Sequence, residues 1–204
     1  MAFTRSFDRA YGRFARVYDL AVRTLPVWRT WLTAALDHVE GPRVLEVSFG
    51  TGWLLSRIAP DHDAHGVELN ERMIAVTRGA LHRAGTDARL ARASVESLPY
   101  RRGTFDTVVN TMAFTGYPDA GRAMAELARV LRPDGRLVMI DVNFPADGNR
   151  RGTALVRAWQ RAGDLVRDLA PHFAATGFEV TDEEIGGWGS VHRYLARRRA
   201  DASP

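Results

Sequence analysis

The sequence predicts an α/β fold in a single domain, residues 1–204, with a doubly wound, mostly parallel seven-stranded sheet that ends in an antiparallel hairpin. The first observation is a short apolar run at residues 44–47, which breaks into a glycine turn and then into a helical pattern. A strand, a glycine turn and a helix in this order form the entrance to a nucleotide site in a doubly wound sheet. The second observation is the short loop, residues 186–190, between the last two expected strands. Strands joined by so short a loop must be antiparallel.

The remaining elements follow from apolar periodicity and from turn residues. Pro26 can start a helix, and Asn70 is a good N-cap for a helix that begins at Glu71. We expect residues 197–204 to form a frayed basic tail. The expected strands are residues 44–47, 64–68, 88–93, 105–109, 136–141, 178–185 and 191–196, and the expected helices are residues 5–24, 27–39, 54–59, 71–84, 119–131 and 151–175.

The composition is that of a globular domain, with 46% hydrophobic and 25% charged residues. There is no cysteine, which excludes disulfides, thiolate metal sites and cysteine nucleophiles. No apolar run reaches the roughly 20 residues that a membrane span needs, and residues 1–8 lack a secretory apolar core. We therefore expect a cytoplasmic protein. No histidine–carboxylate cluster has the spacing of metal ligands, so we expect no metal.

The charge balance bears on the class of partner. The formal net charge is +4, and the isoelectric point is about 10.1. Every basic residue is arginine and none is lysine, a bias that raises the isoelectric point without adding charge. A net charge of +4 is a weak footprint for binding a polyanion, so we do not expect a nucleic-acid partner.

The N-terminal segment, residues 5–24, has arginines at helical spacing on one face and aromatic residues largely on another. This pattern fits a helix packed on the domain, a lid over the nucleotide site, or a helix on a membrane surface. We divide the chain into a helical lid or cap at residues 1–40 and a ligand-binding α/β core at residues 41–196.

Ligand contacts are expected at the glycine turn and beyond the carboxyl ends of the strands. Gly50 and Gly52 let the backbone approach a ligand, because a side chain would keep it away. Glu68 ends the second strand, where a carboxylate can accept hydrogen bonds from two ribose hydroxyls. The residues after the fourth strand are further candidates for the ligand-binding edge, namely Asn110, Met112 and Phe114. A helix cap with core packing is the alternative for them.

The glycine turn resembles the cofactor loop of class I S-adenosylmethionine-dependent methyltransferases, whose usual form is an acidic residue followed by G-x-G-x-G. Glu46 is the acidic residue, and Ser48 stands where the first glycine is usual. Gly50 and Gly52 are the second and third glycines. Residues 94–100, followed by Phe-Asp, resemble the adenine segment of the same family, with serine in place of the usual aspartate at position 94.

Two further stretches carry the resemblance. Residues 126–141 resemble the family's E-x-x-R-V-L-R-P-G-G-R-L stretch, and residues 13–19 resemble the Y-D lead-in of small methyltransferases related to quinone and phospholipid methylation. That lead-in tends to fold over the cofactor, which favours the lid over the membrane helix, and peripheral membrane contact stays an alternative. The motifs cover roughly residues 11–196 in the expected order, and their conjunction is specific for fold and cofactor.

The resemblance implies S-adenosylmethionine as cofactor and methyl transfer by in-line displacement to a small-molecule or lipid-like acceptor. It also implies that Ser94 bonds the adenine amino group and that Val95 packs on the ring. A nicotinamide-dependent oxidoreductase is disfavoured, because its fingerprint needs glycine at position 55, which is leucine. A cofactor-binding or regulatory protein without transferase activity is the alternative. The predicted cofactor-binding residues are Tyr18, Glu46, Ser48, Gly50, Thr51, Gly52, Glu68, Leu69, Ser94, Val95, Glu96, Asn110 and Met112.

The acceptor side of the site is less specified. An oxygen or nitrogen nucleophile needs proton removal, and His192 is the candidate base because an antiparallel last strand would start at the cofactor edge. A structural role for this histidine is the alternative. We expect Trp188 to flank the acceptor, or else to cover the end of the sheet, and we expect the segment around Tyr11 and Tyr18 to close over the cofactor.

Overall fold

The computed structural model describes residues 26–198. Its seven strands form one sheet in the order β3-β2-β1-β4-β5-β7-β6. Strands β1 to β5 pair in parallel, and β7 is antiparallel to both β5 and β6. The predicted fold class is therefore confirmed. The strands are β1 (Arg43–Val47), β2 (Asp63–Glu68), β3 (Arg89–Arg92), β4 (Phe105–Thr111), β5 (Leu131–Val142), β6 (Phe178–Gly186) and β7 (Val191–Arg198).

Helices cover both faces of the sheet. One face, which we call the α4 face, packs its apolar side chains against α4 (Ala120–Val130) and α6 (Ala170–Ala175). The opposite face, the α3 face, packs against α2 (Leu55–Ile58) and α3 (Glu71–Ala84). Side chains alternate between the two faces along each strand, so Leu45 lies on the α4 face and Val44 on the α3 face. The helices are α1 (Pro26–Thr33), α2 (Leu55–Ile58), α3 (Glu71–Ala84), α4 (Ala120–Val130), α5 (Arg150–Ala162) and α6 (Ala170–Ala175).

Helix α3 shows how local sequence fixes an element beside the site. The side chain of Asn70 accepts hydrogen bonds from the backbone N–H groups of Arg72 and Met73, as the predicted N-cap requires. Gly85 ends the helix with φ of 67°, a left-handed conformation that glycine adopts without a steric penalty. The start of α3 at Glu71 is thus fixed three residues after the end of β2, next to the glycine turn.

Two expected helices differ from the structure. The helix expected at residues 27–39 ends at Thr33 and continues only as a separate 3₁₀ turn, Leu36–His38. The single helix expected at residues 151–175 is divided into α5 and α6, because Gly163 adopts a left-handed φ of 114° and caps α5. The residues from 163 to 169 form an irregular connection that is hydrogen-bonded to the segment after β4.

The last strands are longer than expected. Strand β5 starts at Leu131 rather than at residue 136, because the expected turn is a bulge inside the strand, with Asp134 at φ of 64°. Strand β7 continues to Arg198 by pairing with Phe178, so part of the expected frayed tail is ordered sheet. The predicted helix at residues 5–24, with Tyr11 and Tyr18, lies outside the described residues, and the lid stays a prediction.

Candidate functional site

The two glycines of the turn after β1 serve different purposes. Gly50 has φ of 55°, and a side chain added there would meet no atom within 4 Å. Gly52 has φ of 71°, and an added Cβ would collide with the side chain of Thr77 on α3. The Thr77 hydroxyl also donates a hydrogen bond of 3.1 Å to the Gly50 carbonyl. Gly50 therefore leaves an open approach for a ligand, whereas Gly52 allows the turn to pack closely on α3.

The backbone conformation of Ser48 shows why glycine is usual at this position. Its φ is 54°, in the left-handed region that favours glycine. The serine hydroxyl lies 2.7 Å from the Tyr117 hydroxyl, and the side-chain amide of Asn110 donates to that same hydroxyl at 2.7 Å. The strained serine is thus anchored by a polar network that joins the glycine turn to the end of β4. No sequence pattern predicted that Tyr117 would bond to both Ser48 and Asn110.

Glu68 stands at the tip of β2, as predicted, and its carboxylate organises the adjacent backbone. One oxygen accepts from the N–H groups of Leu69 and Asn70 at 2.8 and 2.9 Å, and the other accepts from Gly50 at 3.1 Å. The side chain is 6% exposed, and this burial raises its pKa while the backbone hydrogen bonds lower it. A carboxylate has about four acceptor positions, so these three bonds leave one for a ligand hydroxyl. Leu69 beside it is 45% exposed and offers an apolar surface.

Glu46 is a buried acid with an unused acceptor. It is 2% exposed, and its Oε2 atom has no hydrogen-bond partner among the described residues. Burial, and secondly the negative charge of Glu68, raise its pKa well above the usual range. A small pocket lies beside it, between α1 and the glycine turn. The pocket is lined by Leu32, Glu46, Ser48, Phe49, Gly50, Thr51, Trp53, Leu54 and Thr111.

The segment after β3 starts beside Glu68, whose carbonyl accepts from the N–H of Ala93 at 3.2 Å. The Ser94 hydroxyl accepts from the N–H of Glu96 at 3.2 Å and shapes a tight turn. The Glu96 carboxylate accepts from the N–H of Asp119 at 3.0 Å, which ties this turn to the start of α4. Val95 is buried. The expected adenine segment therefore lies next to the expected ribose acceptor.

The end of β4 also reaches this edge. Asn110 is fully buried, and the oxygen of its side-chain amide, Oδ1, has no hydrogen-bond partner among the described residues. Met112 has a left-handed φ of 52° and donates its N–H to the Ile140 carbonyl at 2.6 Å. Phe114, also expected at the edge, is fully buried in the core of the α4 face. That expectation was wrong, because the chain turns inward at this point.

His192 occupies the expected end of β7 but is enclosed. The ring is 3% exposed, its Nδ1 lies 2.7 Å from the Asp182 carboxylate, and it stacks on Tyr194 with an interplanar angle of 12°. Its Nε2 has no partner among residues 26–198. A general base must reach the proton it removes. The role of His192 as a base stays a prediction, and it requires the ring to become accessible.

An aromatic cluster, which the sequence analysis missed, joins α1 to the site. The ring of Trp28 lies 5.6 Å from the rings of both Trp31 on α1 and Trp159 on α5, and Trp53 of the glycine turn packs against the cluster. An added Cβ at Gly186 would collide with the Trp31 indole, so the end of β6 packs directly on α1. Helix α1 is thus held between the glycine turn and the last two strands.

The expected acceptor loop carries the exposed Trp188. Its side chain is 61% exposed, and its backbone has a left-handed φ of 55°. The Trp188 carbonyl accepts from the side-chain amide of Asn149 at 2.8 Å, which fixes the loop to the start of α5.

Within residues 26–198, no group of three or more histidine or acidic side chains could hold a metal ion. No helix in this part of the chain is long and apolar enough to cross a bilayer.

Comparisons with known proteins agree with this geometry. A family described as "Methyltransferase domain" matches residues 45–139. A demethylmenaquinone methyltransferase of Clavibacter sepedonicus is 30% identical over 193 residues, which are 89% of this chain and 74% of that protein. The demethylmenaquinone methyltransferase of Thermus thermophilus is 32% identical over 146 residues, 68% of this chain and 66% of that relative, just under two thirds. A phosphatidylethanolamine N-methyltransferase of Cereibacter sphaeroides is 30% identical, with 66% of each chain covered.

Solved structures share the fold at low sequence identity. A methyltransferase of Thermotoga maritima, described as a possible histamine N-methyltransferase, superposes with a TM-score of 0.74 at 18% identity, over 95% of this chain and all of that one. A geranyl diphosphate methyltransferase in complex with S-adenosylmethionine superposes with a TM-score of 0.68 at 17% identity, over 83% and 84% of the two chains. The chain belongs to the class I S-adenosylmethionine-dependent methyltransferases, and S-adenosylmethionine is the cofactor of this family.

The residues at the edge fit this cofactor. The amino-acid part of S-adenosylmethionine carries an ammonium group, which can supply the donor that the buried Oε2 of Glu46 lacks. The ribose has hydroxyl donors for the free acceptor position of Glu68, and the exposed side chain of Leu69 offers an apolar surface for a base. The bare Cα of Gly50 leaves space for the backbone to approach the ligand.

Proposed function

We propose that the protein transfers a methyl group from S-adenosylmethionine to a quinone-like or lipid-like small molecule by in-line displacement. The observation that carries the proposal is the meeting of three features at one sheet edge. These are the open backbone at Gly50, the carboxylate of Glu68, and the unpartnered buried acid Glu46. Each corresponds to a different part of the cofactor, and the fold brings them together from β1, β2 and the turn between β1 and α2.

The chain's task in this reaction is alignment. The cofactor supplies an electrophilic methyl group on a sulfonium that is already a good leaving group. The protein therefore has to hold acceptor and methyl group in line and to exclude water. We assign Glu46 to the ammonium, Glu68 and Leu69 to the ribose and base, and the residues Ser94 to Glu96 to the adenine edge. The aromatic cluster around Trp28 and the expected N-terminal lid would close the site on the α1 side.

An apolar acceptor is supported by two observations. The names of the relatives specify demethylmenaquinone and phosphatidylethanolamine as acceptors, which are both lipid-like. Three large apolar side chains are exposed at the carboxyl end of the sheet or in the connections around it, namely Phe144, Leu165 and Trp188. Such surface is costly to leave in water and is suited to an apolar ligand. A proton on the acceptor would have to leave with the help of a group that is accessible in the closed complex.

The second candidate is a cofactor-binding protein without transferase activity. Its support is the enclosure of His192, because no histidine in the described part of the cleft is free to act as a base. The two candidates differ in turnover and agree in cofactor binding, so one experiment separates them.

The test is an assay of methyl transfer with the purified full chain. S-adenosylmethionine labelled in its methyl group is incubated in detergent micelles with demethylmenaquinone reduced to its quinol, whose ring can attack the methyl group, or with phosphatidylethanolamine. The products are analysed by mass spectrometry. The proposal predicts the label in one of these acceptors together with S-adenosylhomocysteine. If S-adenosylhomocysteine binds in calorimetry and neither these acceptors nor a lipid extract becomes labelled, the non-catalytic alternative holds.

A further inference from the structure

The hydroxyl of Thr115 lies between two carboxyl groups outside the cofactor edge described above. Thr115 belongs to the 3₁₀ turn after β4, Phe114–Gly116. Its Oγ1 is 3.1 Å from an oxygen of Asp141, at the end of β5, and 3.1 Å from an oxygen of Asp164, in the connection between α5 and α6. A hydroxyl has one proton to donate. Only one of the carboxyls can receive it, and the other contact is a hydrogen bond only if that carboxyl is itself protonated.

The surroundings of the two carboxyls decide which one holds the proton. Asp141 accepts from three backbone N–H groups, those of Val142 at 2.7 Å, Phe114 at 2.6 Å and Thr115 at 3.3 Å. Such bonds favour the ionised form of a carboxyl. Asp164 accepts from no N–H group among the described residues, and its Oδ2 is shielded from solvent with no partner. Ionisation at that position would leave the charge with the Thr115 hydroxyl as its one hydrogen-bond donor among the described residues.

We propose that Asp164 is a neutral carboxylic acid that donates to Thr115 and so positions the connection, residues 163–169, over the acceptor side of the site. Calling this the acceptor side rests on the proposed function. The connection is attached at two further points. The Leu165 N–H donates to the Thr115 carbonyl at 2.7 Å, and the Arg167 guanidinium donates to the Tyr117 carbonyl at 3.1 Å.

The bonds from Asp164, Leu165 and Arg167 form a clamp on the connection, and Tyr117 joins this clamp to the glycine turn. The Tyr117 hydroxyl holds Ser48, and Tyr117 lies two residues after Thr115 in the same turn. Leu165 presents an apolar side chain that is 47% exposed. A clamp that fixes Leu165 therefore fixes apolar surface at a defined place relative to the cofactor loop. Asp164 acts through Thr115 and is a positioning residue.

The charged and titratable groups around Asp141 and Asp164 determine how the contact of these carboxyls with Thr115 depends on pH. Burial is the main cause that raises the pKa of both carboxyls; at Asp141 three backbone N–H donors oppose it, and at Asp164 only the Thr115 hydroxyl does among the described residues. From β7, His192 stands opposite Asp141 in the strand register, with its Nδ1 bonded to Asp182 of β6. Tyr194, also on β7, stacks on that histidine. The connection itself contributes Arg167 and Asp168.

The sign follows from proton binding. A carboxyl with a raised folded-state pKa binds more protons in the folded than in the unfolded state. The stabilisation is complete below the unfolded-state pKa and is lost as pH rises through the folded-state pKa. Loss of the proton also places two negative charges around one hydroxyl, which repel. We therefore expect the clamp to be closed at acidic pH and to open as pH rises through the raised folded-state pKa of Asp164.

The first test reads the protonation state directly. Full-length protein labelled with ¹³C at the aspartate carboxyl carbons is titrated by NMR, as wild type, D164N and D141N. We expect the signal that is missing from D164N to keep its proton to a higher pH than the signal that is missing from D141N. D168N is the matched control, because Asp168 lies on the same connection and caps the backbone at Ala170. If the Asp164 signal titrates in the ordinary range of an aspartate, or if the Asp141 signal keeps its proton to the higher pH, the proposal is overturned.

The second test reads the position of the connection by hydrogen exchange. The side-chain amide introduced by D164N can donate to Thr115 as the neutral acid does. This variant should therefore keep the Leu165 N–H protected and make the protection independent of pH after correction for intrinsic exchange. In D164A the exchange of the Leu165 N–H should be at least about fivefold faster, because the hydrogen bond to Thr115 that holds the connection is lost. Equal protection in D164N and D164A would contradict the clamp. Neither test needs turnover, so a failed methyl-transfer assay leaves both readable.

Discussion

The hydroxyls of Ser48 and Tyr117 lie 2.7 Å apart, and they connect the glycine turn to the turn after β4. Ser48 is held with φ of 54°, a conformation that costs a non-glycine residue roughly 1–2 kcal/mol. The hydrogen bond offsets part of this strain. The departure from the usual glycine at this position is therefore compensated by a residue 69 positions later in the chain.

This relationship predicts the effect of removing the Tyr117 hydroxyl. Tyr117→Phe leaves the hydroxyl of Ser48 and the amide of Asn110 without their shared partner. We expect the free energy of unfolding to fall by about 1–3 kcal/mol and the affinity for S-adenosylhomocysteine to fall as well. Tyr194→Phe is the control, because its hydroxyl bonds Asn143 away from the glycine turn. Equal loss of affinity in both variants would show that the network has no specific effect on the site.

Glu68→Ala tests the assignment of the ribose acceptor. The variant removes a charge-assisted hydrogen bond to the ligand and three bonds to the loop backbone. Calorimetry should show affinity for S-adenosylhomocysteine reduced at least about tenfold, since one such bond contributes roughly 1.5–3 kcal/mol. Glu71→Ala, at an exposed residue three positions later, should bind normally. Unchanged affinity in the Glu68 variant, with native circular dichroism, would remove Glu68 from the site.

We expect the binding of S-adenosylhomocysteine to release protons from Glu46. Its pKa is raised in the free protein by burial and by Glu68, and an ammonium group beside it would favour the ionised form and lower that pKa. Binding of S-adenosylhomocysteine should therefore release protons, and affinity should increase as pH rises toward the free-protein pKa. Calorimetry in buffers of different ionisation enthalpy measures this release. In Glu46→Gln the release should disappear, and its persistence would place the ammonium elsewhere.

We expect substitution of Gly52 to lower the free energy of unfolding, an effect that can be measured separately from ligand binding. In Gly52→Ala the new Cβ collides with Thr77, and φ of 71° adds backbone strain, so we expect a loss of unfolding free energy of about 1–3 kcal/mol. The double variant with Thr77→Ala should recover part of this loss, because it removes the two nearest colliding atoms. Strictly additive effects of the two substitutions would mean that the contact does not determine the need for glycine.

The expected N-terminal lid is tested by hydrogen exchange of residues 8–20. If this segment closes over the cofactor, its exchange should slow when S-adenosylhomocysteine is added, because binding suppresses local opening. The fluorescence of Trp188, measured in a variant with the other four tryptophans replaced, should change as well. Unaltered exchange at demonstrated saturation would return residues 5–24 to the surface-helix or membrane interpretation.

Local patterns were sufficient to predict the fold and much of the site edge. The apolar runs and the short last loop define the strands, Asn70 marks the start of α3, and Glu68 marks the tip of β2. The break at Gly163 was missed because helical periodicity continues on both sides of it. The partnership of Ser48 with Tyr117 was also beyond prediction. It joins residues that are distant in sequence and depends on how two loops meet.

The clamp at Thr115 shows the same limit of local patterns. Thr115, Asp141 and Asp164 belong to three separate segments, and each is an ordinary polar residue in its own surroundings. Only the packed structure brings one hydroxyl between two carboxyls. The aromatic cluster at Trp28 is similar, because α1 and α5 meet over the site although they are far apart in the chain.

The central claim, that the glycine turn holds S-adenosylmethionine, is tested most directly by comparing two glycine variants in calorimetry. Gly50 and Gly85 both have positive φ and both have open space where a side chain would stand, but Gly85 caps α3 on the far side from the turn. Wild type and Gly85→Val should bind S-adenosylhomocysteine with similar affinity, whereas Gly50→Val should not bind it, with circular dichroism native-like in all three. Binding by Gly50→Val at wild-type affinity, or no binding by the wild type, would contradict the claim.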